Sequence, residues 1–204
     1  MTPQQKIEIL QTLIHIKSVN AHETDVADYL ASLFAPYPQA QIEKVPFAPG
    51  RDNLVVTIGN PAGPQLGLSG HMDVVAAGDE TAWTHPPFGG EIVDGRLFGR
   101  GASDMKSGLA AIVITMLEFL EQGTSLAGSL RLLATVGEET GEYGAATLTD
   151  AGYADHLAGL VIAEPSGLDQ VVYTARGVID YKVVSTGVAS HSAQPENGVN
   201  AIDN

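Results

Sequence analysis

Apolar residues at helical spacing predict two helices at the start of the chain. The first begins at Thr2-Pro3, where Thr2 can form a capping box with Gln5 and a proline suits the first helical position. Its apolar stripe consists of Ile7, Leu10, Leu13 and Ile14. The second helix covers the apolar positions between 26 and 34 and ends before Pro36.

Short β-rich apolar runs, bounded by Gly, Pro and Asn, predict the strands. They cover 42–45, 54–58, 66–68, 130–136 and 160–163. A hairpin over 91–98 turns at Asp94-Gly95, and the apolar run 109–120 predicts a buried helix. Strands that alternate with helices predict an α/β fold whose largely parallel or mixed sheet is flanked by helices.

The pattern changes after Pro165-Ser166-Gly167. The segments beyond it predict strands over 171–175 and 178–185, and a turn that leads into a helix over 195–202. Two strands and one helical turn cannot bury a sheet. We therefore expect a first domain over 1–172, the beginning of a smaller α+β domain over 173–204, and a longer protein of which this chain is a part.

Charge and composition restrict the possible partners and ligands. The chain has 10 Lys and Arg against 24 Asp and Glu, a net charge of −14, which argues against nucleic acid or an anionic membrane as a partner. There is no Cys, so His, Asp and Glu must supply any metal ligands. The first residues lack a signal-peptide pattern, and the run 109–120 is too short to span a bilayer. These features predict a cytoplasmic protein.

Acidic residues and one histidine follow the predicted strands or precede the buried helix. They are His71, Asp73, Asp104, Glu138, Glu139 and Glu164. In an open α/β sheet, ligands bind at the carboxyl ends of the strands. Scattered surface acids would not be expected to choose these positions repeatedly, so the pattern predicts a site at one edge of the sheet.

The charges of such a site predict two metal ions. A site that holds His71, Asp104, Glu139 and Glu164 carries three negative charges, which would repel each other and favour protonation. Two divalent cations and one hydroxide bring the sum to zero, and a carboxylate can bridge the two ions. Oxygen and imidazole ligands without a thiolate suit zinc, manganese or cobalt.

The neighbours of these residues suggest a division of roles. Glu138 and Glu139 are consecutive and point in different directions, so one can bind metal while the other acts as a general base. Asp73 lies two residues after His71, on the same side of an extended segment. We expect its carboxylate to accept the second ring N–H of His71 and to orient the imidazole.

Five motifs then resemble a known family. They are GHMDVV at 70–75, the segment from Trp83 to Ala111, ATVGEETGEYGA at 134–145, AEPSG at 163–167 and ASHSAQPENGVNAI at 189–202. In this order and spacing they resemble the M20 metallopeptidase and deacylase family, most closely its acetylornithine deacetylase/succinyl-diaminopimelate desuccinylase branch. The resemblance implies an incomplete zinc-peptidase-like catalytic domain, the start of a dimerisation or lid domain, and a homodimer.

The resemblance also implies metal roles for the matching residues. His71 and Glu164 bind one ion, Glu139 binds the other, and Asp104 bridges both. Both ions are divalent, with zinc as the first choice and cobalt or manganese as alternatives. The family's second metal-binding histidine has no counterpart here. We expect it beyond Asn204, and we expect these 204 residues alone to be inactive.

Four further residues receive roles from the same resemblance. Asp73 orients the metal-binding histidine, and Glu138 is the general base. His191 resembles the family's oxyanion-stabilising histidine, which reaches the partner subunit's active site across the dimer interface. Arg176, in a short Ala-Arg-Gly motif, resembles a contact to the substrate carboxylate.

These features favour an enzyme that hydrolyses the amide bond of a small N-acyl amino acid. The first choice of substrate is N-succinyl-diaminopimelate, and the alternatives are N-acetylornithine deacetylase, aminoacylase, dipeptidase and carboxypeptidase activity. A non-catalytic binding protein on the same scaffold is the alternative from another class. Individually, Asp104 can also be a helix cap, Glu138 and Glu139 a solvated pair, and His191 a surface residue.

Overall fold

The computed structural model describes residues 1–167, 170–174, 177, 179 and 181–203. The chain forms two compact units, Met1–Pro165 and Ser166–Asn204. The structural division follows Pro165, and the functional boundary expected after residue 172 stays a prediction. Among the described residues, no helix is long and apolar enough to cross a membrane.

The first unit contains four helices and seven strands. The helices are α1 (Pro3–His15), α2 (Thr24–Phe34), α3 (Lys106–Glu121) and α4 (Tyr143–Asp150). The strands are β1 (Gln41–Ala48), β2 (Arg51–Gly59), β3 (Gln65–His71), β4 (Glu91–Val93), β5 (Arg96–Phe98), β6 (Ser129–Thr135) and β7 (Leu157–Ile162). The predicted capping box of α1 is confirmed, since Thr2 Oγ1 accepts the Gln5 N–H at 3.2 Å and Gln5 Oε1 accepts the Thr2 N–H at 2.8 Å.

Five strands form one mixed sheet in the order β1-β2-β6-β3-β7. Strand β3 runs parallel to both β6 and β7, whereas β2 is antiparallel to β1 and β6. The carboxyl ends of β3, β6 and β7 therefore meet at one edge. Strands β4 and β5 form the predicted hairpin, with Asp94 and Gly95 at positive φ as its tight turn requires.

Helices cover both faces of this sheet. On one face, α1, α2 and α3 pack against it, and the largest fully buried side chains include Phe34, Leu30, Leu109 and Met116. On the other face, Leu148 of α4 packs against Val55 and Leu133. The predicted α/β fold, a mixed sheet flanked by helices, is thereby confirmed. Removing this apolar surface from water stabilises the layers by about 25 cal/mol for each Å² buried.

A buried lysine joins the end of α1 to the start of α3. Lys106 has no exposed surface, and its Nζ donates to the carbonyls of Leu13 at 2.7 Å and Ile16 at 2.8 Å. Burial lowers the pKa of Lys106 to about 7, while the charge of Asp73 opposes this shift. The last carbonyls of a helix lack partners within the helix, and this ammonium donates to two carbonyls at the end of α1. It fixes the loop that carries Asp104 against α1.

The second unit has little regular structure among its described residues. Strands were predicted over 171–175 and 178–185, but the described residues of those segments form none, and Val188 bridges Val199 instead. Apolar side chains there remain exposed, for example Val171 and Tyr173 at 89% and 93%. The predicted turn is a 3-10 turn at Pro195–Asn197, but the described residues 198–203 after it do not form the predicted helix.

Candidate metal centre

The parallel strands place the predicted residues side by side. His71 is the last residue of β3 and pairs with Thr135, the last residue of β6. Beyond β6, a 3-10 turn over Glu138–Thr140 carries both glutamates. Glu164 follows the end of β7, where the Ala163 N–H donates to the Ser69 carbonyl of β3 at 3.1 Å. The strand-end pattern of the sequence thus corresponds to one edge of the folded sheet.

The imidazole of His71 lies at the centre of the acidic side chains. Its Nε2 is 3.1 Å from Asp104 Oδ1, 3.7 Å from Glu164 Oε1 and 3.9 Å from Glu138 Oε2. Two groups of side chains could each hold a metal ion, because the potential ligand atoms within each group lie within 4.8 Å of one another. They are His71 with Asp104 and Glu164, and His71 with Glu138 and Glu139. All four predicted metal ligands and the predicted base therefore share one cluster.

Asp104 contacts this cluster and does not cap the helix. The N-cap position of α3 is Met105, which makes no side-chain capping bond. The Asp104 carboxylate is 57% exposed and shares a hydrogen bond with His71 Nε2. The alternative interpretation of Asp104 as a helix cap is therefore wrong, and its carboxylate is available for a ligand.

The orientation of His71 depends on Asp73 in an unexpected way. His71 Nδ1 is 2.9 Å from the backbone carbonyl of Asp73, whereas the Asp73 carboxylate is 3.6 Å away, beyond hydrogen-bond distance. A carbonyl can only accept, so Nδ1 carries a proton and Nε2 faces the acids. Burial lowers the pKa of His71, but Asp73, Glu164 and Asp104 outweigh it and raise the pKa to about 9.

The Asp73 carboxylate instead holds the backbone of the glutamate turn. Its Oδ1 accepts the N–H of Glu138 and its Oδ2 accepts the N–H of Glu139, each at 3.1 Å. Asp73 is fully buried, which raises the pKa of its carboxyl, but His71 and these two N–H groups lower it below its usual value. One residue therefore orients His71 through its carbonyl and both glutamates through its side chain.

Two more residues, which no pattern in the sequence indicates, hold this turn. Asn53 Oδ1 accepts the N–H of Val136 at 3.0 Å, and Glu23 Oε1 accepts the N–H of Gly137 at 3.2 Å. Both side chains are fully buried. They lie far from the turn in sequence, so no local pattern connects them with it.

The acids of the cluster repel one another. Burial together with Asp73 and Asp104 raises the pKa of Glu138 against the opposing charge of His71, and burial and Asp104 raise the pKa of Glu139. Burial is also the largest cause for Glu164, whose pKa rises to about 7. One imidazole cannot balance these carboxylates, whereas divalent cations can. The oxygen-rich donor set with a single imidazole therefore fits divalent metal ions.

The two remaining predicted residues lie after Pro165 in the chain. His191 belongs to the second unit, where it is exposed and its Nδ1 accepts the Ala193 N–H at 3.2 Å. Arg176 lies outside the described residues. Their roles stay predictions.

Comparison with known proteins identifies the class to which this fold and cluster belong. The model of peptidase family M20/M25/M40 matches residues 67–201. The chain belongs to this family, and the predicted resemblance is confirmed.

Two relatives indicate the branch within the family. The chain is 45% identical over 204 residues to a probable succinyl-diaminopimelate desuccinylase of Staphylococcus epidermidis, covering 100% of this chain and 49% of the relative. It is 34% identical over 206 residues to a succinyl-diaminopimelate desuccinylase of Rhodospirillum centenum, covering 93% and 51%. The chain thus spans about half the length of these curated relatives.

Solved structures support the fold. Human carnosine dipeptidase 1 is similar with a TM-score of 0.65 and 21% identity, over 78% of this chain and 38% of that protein. At this identity the likeness concerns the architecture alone.

Proposed function

We propose that this chain contributes most of an active site that hydrolyses the amide bond of a small N-acyl amino acid, with N-succinyl-diaminopimelate as the first-choice substrate. The observation that carries the proposal is the convergence of Asp104, Glu138 and Glu164 within 3.1–3.9 Å of His71 Nε2. The names of the most similar relatives support the choice of acyl group.

Two divalent ions, with zinc as the first choice, complete the proposed site. His71, Asp104 and Glu164 would hold one ion, while Asp104 and Glu139 would contribute to the other. Bound divalent ions would supply Lewis acidity for the acyl carbonyl and for the attacking water. The grouping of potential ligands around His71 supports this assignment, and the raised pKa values of the glutamates give cations a stabilising role.

Glu138 is the proposed general base. Its carboxylate is 40% exposed, so it can reach a water molecule, and its backbone is fixed by Asp73. Burial raises its pKa above the usual value of a carboxyl group, which suits a group that accepts and then releases a proton. Glu138 takes a proton from water as the oxygen attacks the acyl carbon. It then delivers that proton to the amine as the C–N bond breaks.

Two further residues, His191 and Arg176, are proposed to contact the substrate. An exposed His191 from a partner subunit stabilises the oxyanion, which requires a homodimer, and Arg176 binds the substrate carboxylate. The family resemblance of the surrounding motifs supports both assignments.

Hydrolysis assays on the intact protein test this proposal. N-succinyl-diaminopimelate and N-acetylornithine are offered separately, with and without added zinc, and we expect the succinyl substrate to have the higher kcat/KM.

Glu138→Gln should lower kcat by about 10²–10⁴-fold, since it removes the base. The matched control Glu142→Gln alters an exposed acid nearby and should stay within about twofold of wild type. Unchanged turnover in Glu138→Gln contradicts the assigned base. Zinc binding without turnover of any acyl amino acid supports a binding protein instead.

A further inference from the structure

The turn that carries the glutamates is held in an unusual manner. Four consecutive backbone N–H groups, from Val136 to Glu139, each donate to a side-chain oxygen at 3.0–3.2 Å. The acceptors are Asn53, Glu23 and Asp73, and all three are fully buried. They come from β2, from the N-terminus of α2 and from the loop after β3. Three separate elements therefore converge on one turn.

Among these three acceptors, Glu23 is itself held in place by a bidentate ion pair with Arg51. Its Oε1 accepts both the Gly137 N–H at 3.2 Å and Arg51 Nη2 at 2.6 Å, while its Oε2 accepts Arg51 Nε at 3.0 Å. The guanidinium also lies 5.2 Å from the centre of the Phe47 ring, which stacks on Tyr143 at 5.6 Å. This bidentate pair fixes the carboxylate in two directions, so the oxygen that faces Gly137 has little freedom.

The position of Gly137 makes this contact informative. Gly137 has φ 65° and ψ 34°, the left-handed conformation in which the chain changes direction between β6 and the glutamates. The backbone dihedrals at this residue determine where Glu138 and Glu139 point. A buried ion pair is often no more stabilising than apolar side chains of similar size. Stability alone therefore gives little reason to keep a charged carboxylate here.

We propose that Glu23, held by Arg51, is a positioning residue that sets the direction of Glu138 and Glu139 by fixing the Gly137 N–H. It acts alongside Asp73, which holds the next two N–H groups. The catalytic consequence rests on the function proposed above, because it concerns the same base and the same metal ligand. The structural consequence, the direction of the turn, does not depend on that function.

Two double variants separate the acceptor oxygen from the ion pair. Glu23→Gln with Arg51→Met removes both charges but keeps an oxygen that can accept the Gly137 N–H. Glu23→Leu with Arg51→Met removes the charges and the oxygen together. Thr24→Val is the control, because Thr24 Oγ1 donates to Asp52 at 3.0 Å across the same junction of α2 and β2 without touching the turn.

Cobalt(II) affinity of the intact protein, measured by calorimetry, is the main measurement. The loss of a residue that supports a metal ligand lowers affinity by about 10–100-fold. We expect the leucine double variant to bind cobalt at least about tenfold more weakly than the glutamine double variant. Amide hydrogen exchange at Gly137 should be at least about tenfold faster in the leucine variant. The Thr24→Val control should remain within about twofold of wild type in both measurements.

The outcomes distinguish this proposal from the function on which it builds. Equal cobalt affinity and equal Gly137 exchange in the two double variants would overturn the positioning role, whatever their melting temperatures. If the two variants differ as expected while wild type hydrolyses no acyl amino acid, the proposed function fails and the positioning role stands. If wild type is active, the leucine variant should lose kcat by at least about tenfold while KM changes by less than about threefold.

Discussion

Gly108 provides a demanding test of how the centre is assembled. It lies in the first turn of α3, and a Cβ placed on it would lie 2.0 Å from the Ala163 carbonyl oxygen and 3.0 Å from the carbonyl carbon. Ala163 directly precedes Glu164, and its N–H is held by the Ser69 carbonyl at 3.1 Å. The helix that follows Asp104 and the segment that carries Glu164 therefore touch through this glycine. Gly108→Ala should push them apart.

The change in the free energy of unfolding caused by Gly108→Ala is the balance of two opposing effects. Carbon and other heavy atoms attract best at about 3.5 Å or more, so the obstructed backbone must move by more than about 1 Å. Alanine favours the helix by about 1 kcal/mol over glycine. Overpacking costs about 1–3 kcal/mol or more, and this contact meets rigid backbone, so the upper part of that range applies. We expect Gly108→Ala to lower the free energy of unfolding by about 1–2 kcal/mol.

The same displacement should weaken metal binding. A shift of about 1 Å moves Glu164 relative to His71, from which its carboxylate is now 3.7 Å away. We expect cobalt affinity to fall by about 10–100-fold.

Urea unfolding and cobalt calorimetry measure the two effects of Gly108→Ala. The matched control is Gly159→Ala on β7, where an added Cβ would meet only the end of the Leu66 side chain, at 3.3 Å. That variant should change stability by less than about 1 kcal/mol and leave affinity within about threefold. A Gly108→Ala protein as stable as wild type, with equal cobalt affinity, would refute the argument.

Three further predictions concern the turn and the core. Gly144→Ala should lower both the unfolding free energy, by about 1–3 kcal/mol in urea, and cobalt affinity, because its Cβ would lie 2.4 Å from Asn53 Oδ1. Asp73→Asn should weaken zinc binding by about 10–100-fold in a competition titration with a chelator, and unchanged affinity would contradict its role. Phe34→Ala should cost about 3–5 kcal/mol in urea unfolding while folded protein still binds zinc, since Phe34 is fully buried away from the centre.

The position of the centre could be predicted because it depends on local patterns. Short apolar runs mark the strands, and parallel strands present their carboxyl ends at one edge. His71 and Glu164 adjoin strands β3 and β7, which the sheet places next to each other. The position of a potential ligand that directly follows a strand can therefore be predicted from that strand, even though the other ligands are distant in sequence.

The partners of individual atoms could not be predicted in the same way. The sequence predicts an extended segment from His71 to Asp73, with both side chains on one side. Instead the strand ends at His71, Met72 donates its N–H to the Thr135 carbonyl at 2.9 Å, and Val74 donates to Ser18 at 3.0 Å. These contacts bend the chain so that the Asp73 carbonyl turns towards His71 and its carboxylate turns towards the glutamates. A distant contact thus decides what a local pattern leaves open.

Burial separates the acids of this region into two physical classes. Glu23 and Asp73 are fully buried. The Glu23 carboxylate accepts one backbone N–H and the guanidinium of Arg51, and the Asp73 carboxylate accepts two backbone N–H groups. A charge that water cannot reach must be paired within the protein, so the oxygens of these two carboxylates are occupied by protein donors.

The three carboxylates around His71, here called the outer set, are partly exposed, in contrast to the buried inner set of Glu23 and Asp73. Asp104, Glu138 and Glu164 are 57%, 40% and 38% exposed and gather around the single imidazole of His71. Water solvates their charges in part, but burial and, after it, repulsion by neighbouring acids raise the pKa values of Glu138 and Glu164. Cations are therefore attracted to the outer set, while the inner set keeps the backbone in place. Burial and pairing therefore support the proposed division between residues that bind metal and residues that position them, independently of any family resemblance.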